Sequence, residues 1–280
     1  MNKCIVCKKD KFKLIWYDKI RSSKRDFSKK KEKILQCQFC NLVFLKKPRK
    51  YLENSAITRG LYNKNNSIKE FFAFHTNRER EKLKFIENYV NFKNKKVLES
   101  NCGAGILLNI LRKKALTTAG LDNNHYKKFV ISQGSEFYSS LFQIHKNKKK
   151  FDIILSLSEL EHKYNPVKFV NDIKKCLTKN GVLIFRIPNF FNIYMYVLNK
   201  SFLKYDYRSS HNYYFSEKNL DLMFKKLNMK ILNKLGYHEY SLNHLSNYIK
   251  TQKRVNVNEV KKVFTKKQEK NFKLSVEKTL

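Results

Sequence analysis

Lys95-Lys96-Val97-Leu98-Glu99-Ser100-Asn101-Cys102-Gly103-Ala104-Gly105-Ile106-Leu107-Leu108 is the stretch on which the fold turns. A short apolar run ends in small residues, and apolar residues then return at helical spacing through Leu107, Leu108 and Leu111. That pattern predicts strand, tight turn and helix. Glycines in such a turn let the backbone approach a ligand closely and present the helix N-terminus to it. Downstream, Ala119-Gly120-Leu121-Asp122 reads as the end of a second strand with a carboxylate at its tip. An acid there can accept both ribose hydroxyls of an adenosine-containing cofactor.

The pattern continues outward. Runs 151–157 and 182–187 are β-rich and of buried-strand length. Asn165-Pro166 is expected to cap and open a helix with Val167, Val170, Ile173 and Leu177 on one face, stopped at Asn180-Gly181. Leu220, Met223, Phe224 and Leu227 fall at i, i+3, i+4 and i+7, a core-facing helix after Ser216. Strands alternating with helices predict an α/β fold: a Rossmann-like, doubly wound parallel sheet with its ligand at the carboxyl ends of the strands.

These segments together resemble class I S-adenosylmethionine-dependent methyltransferases. Val97-Leu98-Glu99 with Cys102-Gly103 and Gly105 is similar to that family's first motif, and Gly120-Leu121-Asp122 to its second. Lys150 to Ile154 with Leu160-Glu161-His162 and Asn165-Pro166 looks like its fourth-strand motif. Leu177 to Phe185 with Ile187-Pro188-Asn189 looks like the segment that follows. His211-Asn212-Tyr213-Tyr214-Phe215-Ser216 is similar to small-molecule members. The likeness spans roughly residues 95–235. Two positions depart from it: Asn101 stands where the loop usually has its first glycine, and Ser139-Ser140-Leu141 where an acid usually meets the adenine amino group.

The resemblance implies S-adenosyl-L-methionine as cofactor. Glu99 would order the glycine turn or meet the methionine amino group, Gly103 and Gly105 would admit the methionine moiety, and Asp122 would hold the ribose. Glu99 also reads as a strand-end carboxylate satisfying nearby amides. Glu161-His162 reads as a loop-ordering pair; a metal site is the alternative, since some quinone-pathway members that the chain resembles bind Mg²⁺ with a further Glu three residues earlier, where Ser158 stands here beside Glu159. His211 is the candidate general base, since imidazole titrates near neutral pH; a histidine packed for structure is the alternative. Tyr213 and Tyr214 read as core or pocket wall, and Cys102 and Cys176 as buried thiols.

Ahead of this region, Cys4-Ile5-Val6-Cys7 and Cys37-Gln38-Phe39-Cys40 form two C-x-x-C pairs separated by 29 residues. Two such knuckles supply four thiolates to a tetrahedral structural Zn²⁺ with no open position. Cys4, Cys7, Cys37 and Cys40 are the expected ligands, and metal binding would supply the folding free energy of a small lysine-rich module; unrelated reduced thiols or a redox couple are the alternative. The insert between Asp18 and Lys33 is expected to be a solvated charged loop. The second pair, with Asn41 after it, resembles the knuckle ahead of many bacterial methyltransferase domains, where glycine usually follows the last cysteine. Asn tolerates the left-handed backbone needed there.

The formal net charge is +37, but only ten of the 60 basic residues are arginine, and the lysines are dispersed. With 30 asparagines, 7 glycines and 3 prolines, the composition fits an AT-rich coding sequence better than a selected phosphate-binding surface. The longest apolar run, 190–198, is far short of the roughly 18 residues of a membrane helix, and the first residues lack a secretory signal, so a cytoplasmic protein is expected. The expected organisation is a zinc-binding module and linker over 1–75, a cofactor-binding domain over 76–235 and a polar extension over 236–280. The expected function is methyl transfer to a small metabolite, in nucleotide-sugar, surface-polysaccharide or natural-product biosynthesis. An RNA methyltransferase and a non-catalytic relic are the alternatives.

Overall fold

The computed structural model describes residues 2–22, 27–123, 125–190, 192, 195–196, 198, 203–204, 206–237, 241–251 and 260–278, except 51–67. Residues 51–67, in the linker of the expected first module, and residues 191, 193, 194 and 197 of the apolar run at 190–198 lie outside these residues.

The chain opens with a small antiparallel sheet. Strand β1 (Phe12–Asp18) pairs with β2 (Glu32–Cys37), and β2 with β3 (Val43–Leu45). Helix α1 (Ile68–Glu87) leads into the repeating part: β4 (Lys96–Ser100), α2 (Ile106–Leu111), β5 (Thr117–Leu121), α3 (Lys127–Ser132) and β6 (Glu136–Tyr138). It continues through α4 (Leu141–Lys146), β7 (Phe151–Leu157), α5 (Pro166–Lys174) and β8 (Leu177–Arg186). A two-residue strand, β9 (Tyr213–Tyr214), precedes α6 (Glu217–Lys226), α7 (Leu242–Thr251) and α8 (Lys266–Lys278).

All five strands of the second sheet run parallel, in the order β6-β5-β4-β7-β8. The order reverses at β4, so the crevice beyond its carboxyl end is the expected ligand site of a doubly wound sheet. The inner strand β7, paired on both sides, buries Phe151, Ile153, Ile154 and Leu155 on its two faces, as a continuous apolar run requires. Leu98, Ile154, Val170 and Ile173 share one core, while Val97, Leu107, Leu111, Ile153 and Leu155 share the other. No helix among the described residues is long and apolar enough to cross a membrane.

Two local expectations change. Asn165 does cap α5, its side chain accepting from the Lys168 amide at 2.9 Å with Pro166 in the first turn. The helix closes at Lys174, however, and Leu177 begins β8 by pairing with Phe151. The next pair is Ile153 with Val182, so residues 178–181 form an irregularity in the strand rather than a helix stop. As the outer strand of the described sheet, β8 is also half-buried rather than buried.

The insert between Asp18 and Lys33 is not purely solvated. Ile20 is fully buried beside Tyr207, and the Arg21 amide donates to the Tyr207 carbonyl at 2.9 Å. The small sheet is not self-contained either. Its third strand pairs with β9, Val43 opposite Tyr214 and Phe44 opposite Tyr213. Leu42, Phe44, Tyr213, Phe215 and Met223 then share one core with the parallel sheet.

Candidate active site and metal centre

The turn after β4 contains three left-handed residues: Asn101 (φ 61°), Gly103 (φ 56°) and Gly105 (φ 76°). Asparagine fills the first position because its short polar side chain tolerates this conformation. The turn is fixed from β5: the Asn101 amide donates to the Leu121 carbonyl at 2.7 Å, and the Gly103 amide to Asp122 Oδ2 at 2.8 Å. A β-carbon on Gly105 would approach Val130 Cγ2 to 3.1 Å, so α3 closes against the turn. Glu99, Gly103, Gly105 and Asp122 thus meet where the strand order reverses.

Glu99 is buried near the end of β4, and its Oε2 has no hydrogen-bond partner; neither has the hydroxyl of Ser100. Burial holds the Glu99 carboxyl well above its usual range, with the negative charge of Glu79 adding and Lys82 opposing. A buried acceptor without a donor costs free energy unless a ligand supplies one. An ammonium group fits that need, and left-handed residues beside it leave the backbone open to a close ligand.

Helix α1 brings charges that the sequence pattern did not single out. Lys82 Nζ lies 2.7 Å from Glu79 Oε1, both mostly buried, and burial lowers the lysine below its usual range. On sequence alone these residues are part of a charged helix face; only the fold sets them beside Glu99.

At the third strand, Ser139 and Ser140 serve helix α4. The Ser140 hydroxyl accepts from the Gln143 amide, and Gln143 Oε1 accepts from the Ser139 amide at 2.9 Å. Glu136 sits at the opposite end of β6, taken up by the Tyr138 hydroxyl and by Lys149.

After β7 the chain turns through Ser158 (φ 58°) into a single 3₁₀ turn, Leu160–His162. Glu161, His162 and the distant His211 come together there, all buried, with ligand-type atoms within 4.8 Å of one another. His162 Nε2 lies 3.8 Å from Glu161 Oε1, and the two imidazole rings are 4.9 Å apart and nearly perpendicular. The sequence paired Glu161 with His162 but gave no sign that His211 joins them.

Asn212 holds this cluster in place. It is fully buried, its Oδ1 accepts from the Arg49 amide at 2.7 Å, and its Nδ2 donates to the carbonyls of Arg49 and His162, each at 3.0 Å. Its own amide donates to the Glu161 carbonyl, and its carbonyl accepts from the Leu45 amide. One side chain thus joins the tail of the small sheet, the turn after β7 and β9. Tyr213 and Tyr214 are buried, as core.

The four N-terminal cysteines converge. Cys4 and Cys40 Sγ are 3.6 Å apart, Cys7 and Cys37 Sγ 3.4 Å, and all four lie within 4.8 Å. The two knuckles share one backbone design. Lys8 (φ 69°) and Asn41 (φ 60°) are left-handed, and their amides return to the Cys4 and Cys37 carbonyls at 2.9 and 3.0 Å. Tetrahedral zinc with sulfur bonds of about 2.3 Å needs sulfur separations of about 3.8 Å. The donor set fits such an ion, with every position filled by protein.

A family model described as a methyltransferase domain matches residues 74–234. Among curated proteins, the chain is similar to the ubiquinone biosynthesis O-methyltransferases of Coxiella burnetii and Pasteurella multocida. Each is 27% identical over 127 residues, covering 42% and 39% of this chain and 54% and 52% of those proteins. The chain therefore spans about half the length of the curated relatives it matches. Among solved structures, it is similar to a SAM-dependent methyltransferase from Archaeoglobus fulgidus, with a TM-score of 0.49 and 16% identity. That likeness covers 74% of this chain and 91% of the other.

Proposed function

The chain belongs to the methyltransferase-domain family, and from that premise we propose that it methylates a small molecule with S-adenosyl-L-methionine. The observation that carries this reading is the left-handed turn at residues 101–105, tied to Asp122 beside the partnerless carboxylate oxygen of Glu99. When bound, the cofactor supplies a methyl group on a positively charged sulfur. Glu99 would meet its ammonium, Gly103 and Gly105 would leave room for its methionine part, and Asp122 would hold the ribose.

His211 is our candidate general base for an acceptor hydroxyl, a reading supported by relatives named as O-methyltransferases. Four thiolates, from Cys4, Cys7, Cys37 and Cys40, would hold one structural Zn²⁺. On this reading residues 1–75 comprise the metal-holding module and a linker, 76–235 the transferase and 236–280 an extension. The acceptor would be a metabolite such as a sugar nucleotide or natural-product precursor; nucleic acid is the opposing choice.

The test uses the whole chain with methyl-labelled donor, a metabolite extract and, separately, cellular RNA. Label is expected in a small molecule, and calorimetry should show S-adenosylhomocysteine binding. Absence of that binding would remove the enzyme reading. Stoichiometric label at one RNA nucleotide would transfer it to RNA, whereas salt-sensitive, sequence-indifferent RNA affinity is what scattered lysines give.

A further inference from the structure

The mechanism outlined above uses His211 but leaves two buried polar neighbours without a task. His162 Nδ1 meets the carbonyl oxygen of Ser210. A carbonyl can only accept, so Nδ1 carries the hydrogen, and the Nε2 of a neutral ring presents a lone pair. That lone pair faces Glu161 Oε1 at 3.8 Å, within ion-pair range. Two acceptors facing each other in a buried site repel unless a proton is held between them or on the neighbouring ring. The neighbouring ring is His211, whose ligand-type nitrogen lies within 4.8 Å of both.

We propose that Glu161 and His162 are positioning residues for His211, forming with it a buried His–Glu–His cluster built to take up one proton. The proposal rests on the reading of His211 as the base and assigns its neighbours to it. The acceptor hydroxyl gives its proton to the His211 ring nitrogen, whose lone pair forms the new N–H bond. The O–H bonding pair stays on oxygen, and the proton passes to water once the product leaves. The carboxylate of Glu161 balances the imidazolium, and the Nδ1–H bond to Ser210 fixes how His162 meets that carboxylate. Asn212 keeps both sides in register, its amide on the Glu161 carbonyl and its Nδ2 on the His162 carbonyl.

Other groups near His211 are Tyr214 of β9, with rings 5.6 Å apart, Arg208, whose carbonyl accepts the His211 amide, and Asp206, 3.9 Å from Arg208. Arg49 reaches the same loop through the Ser209 carbonyl at 2.7 Å. None of these four combines a formal negative charge with direct proximity to both rings, as Glu161 does.

The test is imidazole ¹⁵N NMR on the full chain saturated with S-adenosylhomocysteine, across pH 5 to 9, for wild type, Glu161→Gln and Glu161→Asp. His162 should be the Nδ1–H tautomer at high pH. One proton should be taken up by the His162–His211 pair, with a midpoint that falls by about one pH unit in Glu161→Gln and recovers in part in Glu161→Asp. S-adenosylhomocysteine affinity should stay within about twofold. An Nε2–H tautomer for His162, or an unmoved midpoint, would overturn the proposal, and the wild-type spectrum decides the first even if the variants do not fold. A metal beyond the knuckle ion, lost on Glu161→Gln, would overturn it too. Failure of the wild type to bind S-adenosylhomocysteine would instead remove the methyltransferase reading beneath it.

Discussion

The thiol of Cys102 occupies the space a side chain on Gly120 would need: a β-carbon there would stand 2.6 Å from Cys102 Sγ and 3.1 Å from Leu108 Cδ1. The turn at residues 101–105 thus rests on the neighbouring strand by way of a missing side chain. Gly120→Ala should destabilise the protein by about 1–3 kcal/mol, the usual cost of overpacking. Cys102→Ala should relieve much of that loss in the double variant. Thermal or denaturant unfolding of the four proteins of this cycle measures the coupling, and strictly additive losses would refute the contact.

Asp122 bonds the Gly103 amide and stands at the tip of β5. Asp122→Ala should weaken S-adenosylhomocysteine binding by about 1–3 kcal/mol, the loss of charged hydrogen bonds. Calorimetry checks this, and an unchanged affinity would show that the ribose is held elsewhere.

Burial raises the Glu99 carboxyl well above the usual range, so the folded state favours its protonated form. A raised folded pKa gives stability that is full below the unfolded value and lost as pH rises through the folded one. In the absence of ligand the protein should therefore lose stability as pH rises through that window, and Glu99→Gln should flatten this loss. Ligand binding should show the opposite slope, with S-adenosylhomocysteine affinity rising as the carboxylate forms to meet the ammonium. Melting temperatures across pH, with and without ligand, measure both.

The paired knuckles predict one zinc per chain in protein purified without chelator. Cys37→Ser should lower that content, while Cys102→Ser and Cys176→Ser should leave it unchanged. Both of the latter thiols are buried, which pushes Cys176 up to about 11 and Cys102 well above the usual range. Chelation should lower the melting temperature of the whole molecule, because the knuckle strand β3 shares a core with the parallel sheet.

Asn212 satisfies four backbone groups with one side chain. Asn212→Ala leaves several of them buried and unpaired, and should cost about 2–3 kcal/mol by denaturant unfolding. Asn212→Asp should not rescue it, since the Nδ2 donors are lost.

The proposed cofactor side was legible because its signals are local. The turn at 101–105 and the cap at Asn165 follow from a few adjacent residues, and the helix expected after Ser216 forms, opened by a reciprocal capping box of Ser216 and Asn219 that the structure adds. The proposed acceptor side was not. The meeting of His211 with Glu161, the pairing of β3 with β9 and the role of Asn212 join residues about 50 to 170 positions apart, and no periodicity encodes such contacts. Ile20, a lone apolar residue in a charged insert, gave too weak a signal for its burial against Tyr207. At α5 the helical spacing of Leu177 was real, but its pairing with Phe151 prevailed.

The pairing of Val43 with Tyr214 also sets an order of events during synthesis. At roughly 5–20 residues per second, the ribosome needs about ten to thirty seconds to make the intervening chain. Until then Val43, Phe44 and Leu45 present an apolar strand edge without its partner, of the kind that recruits other chains. With a metal ion bound, the early knuckle could close at once, yet its last strand must wait for the end of the transferase domain. The nascent protein is thus most exposed to misassociation once residues 43–45 have emerged, and completing β9 is what ends that exposure.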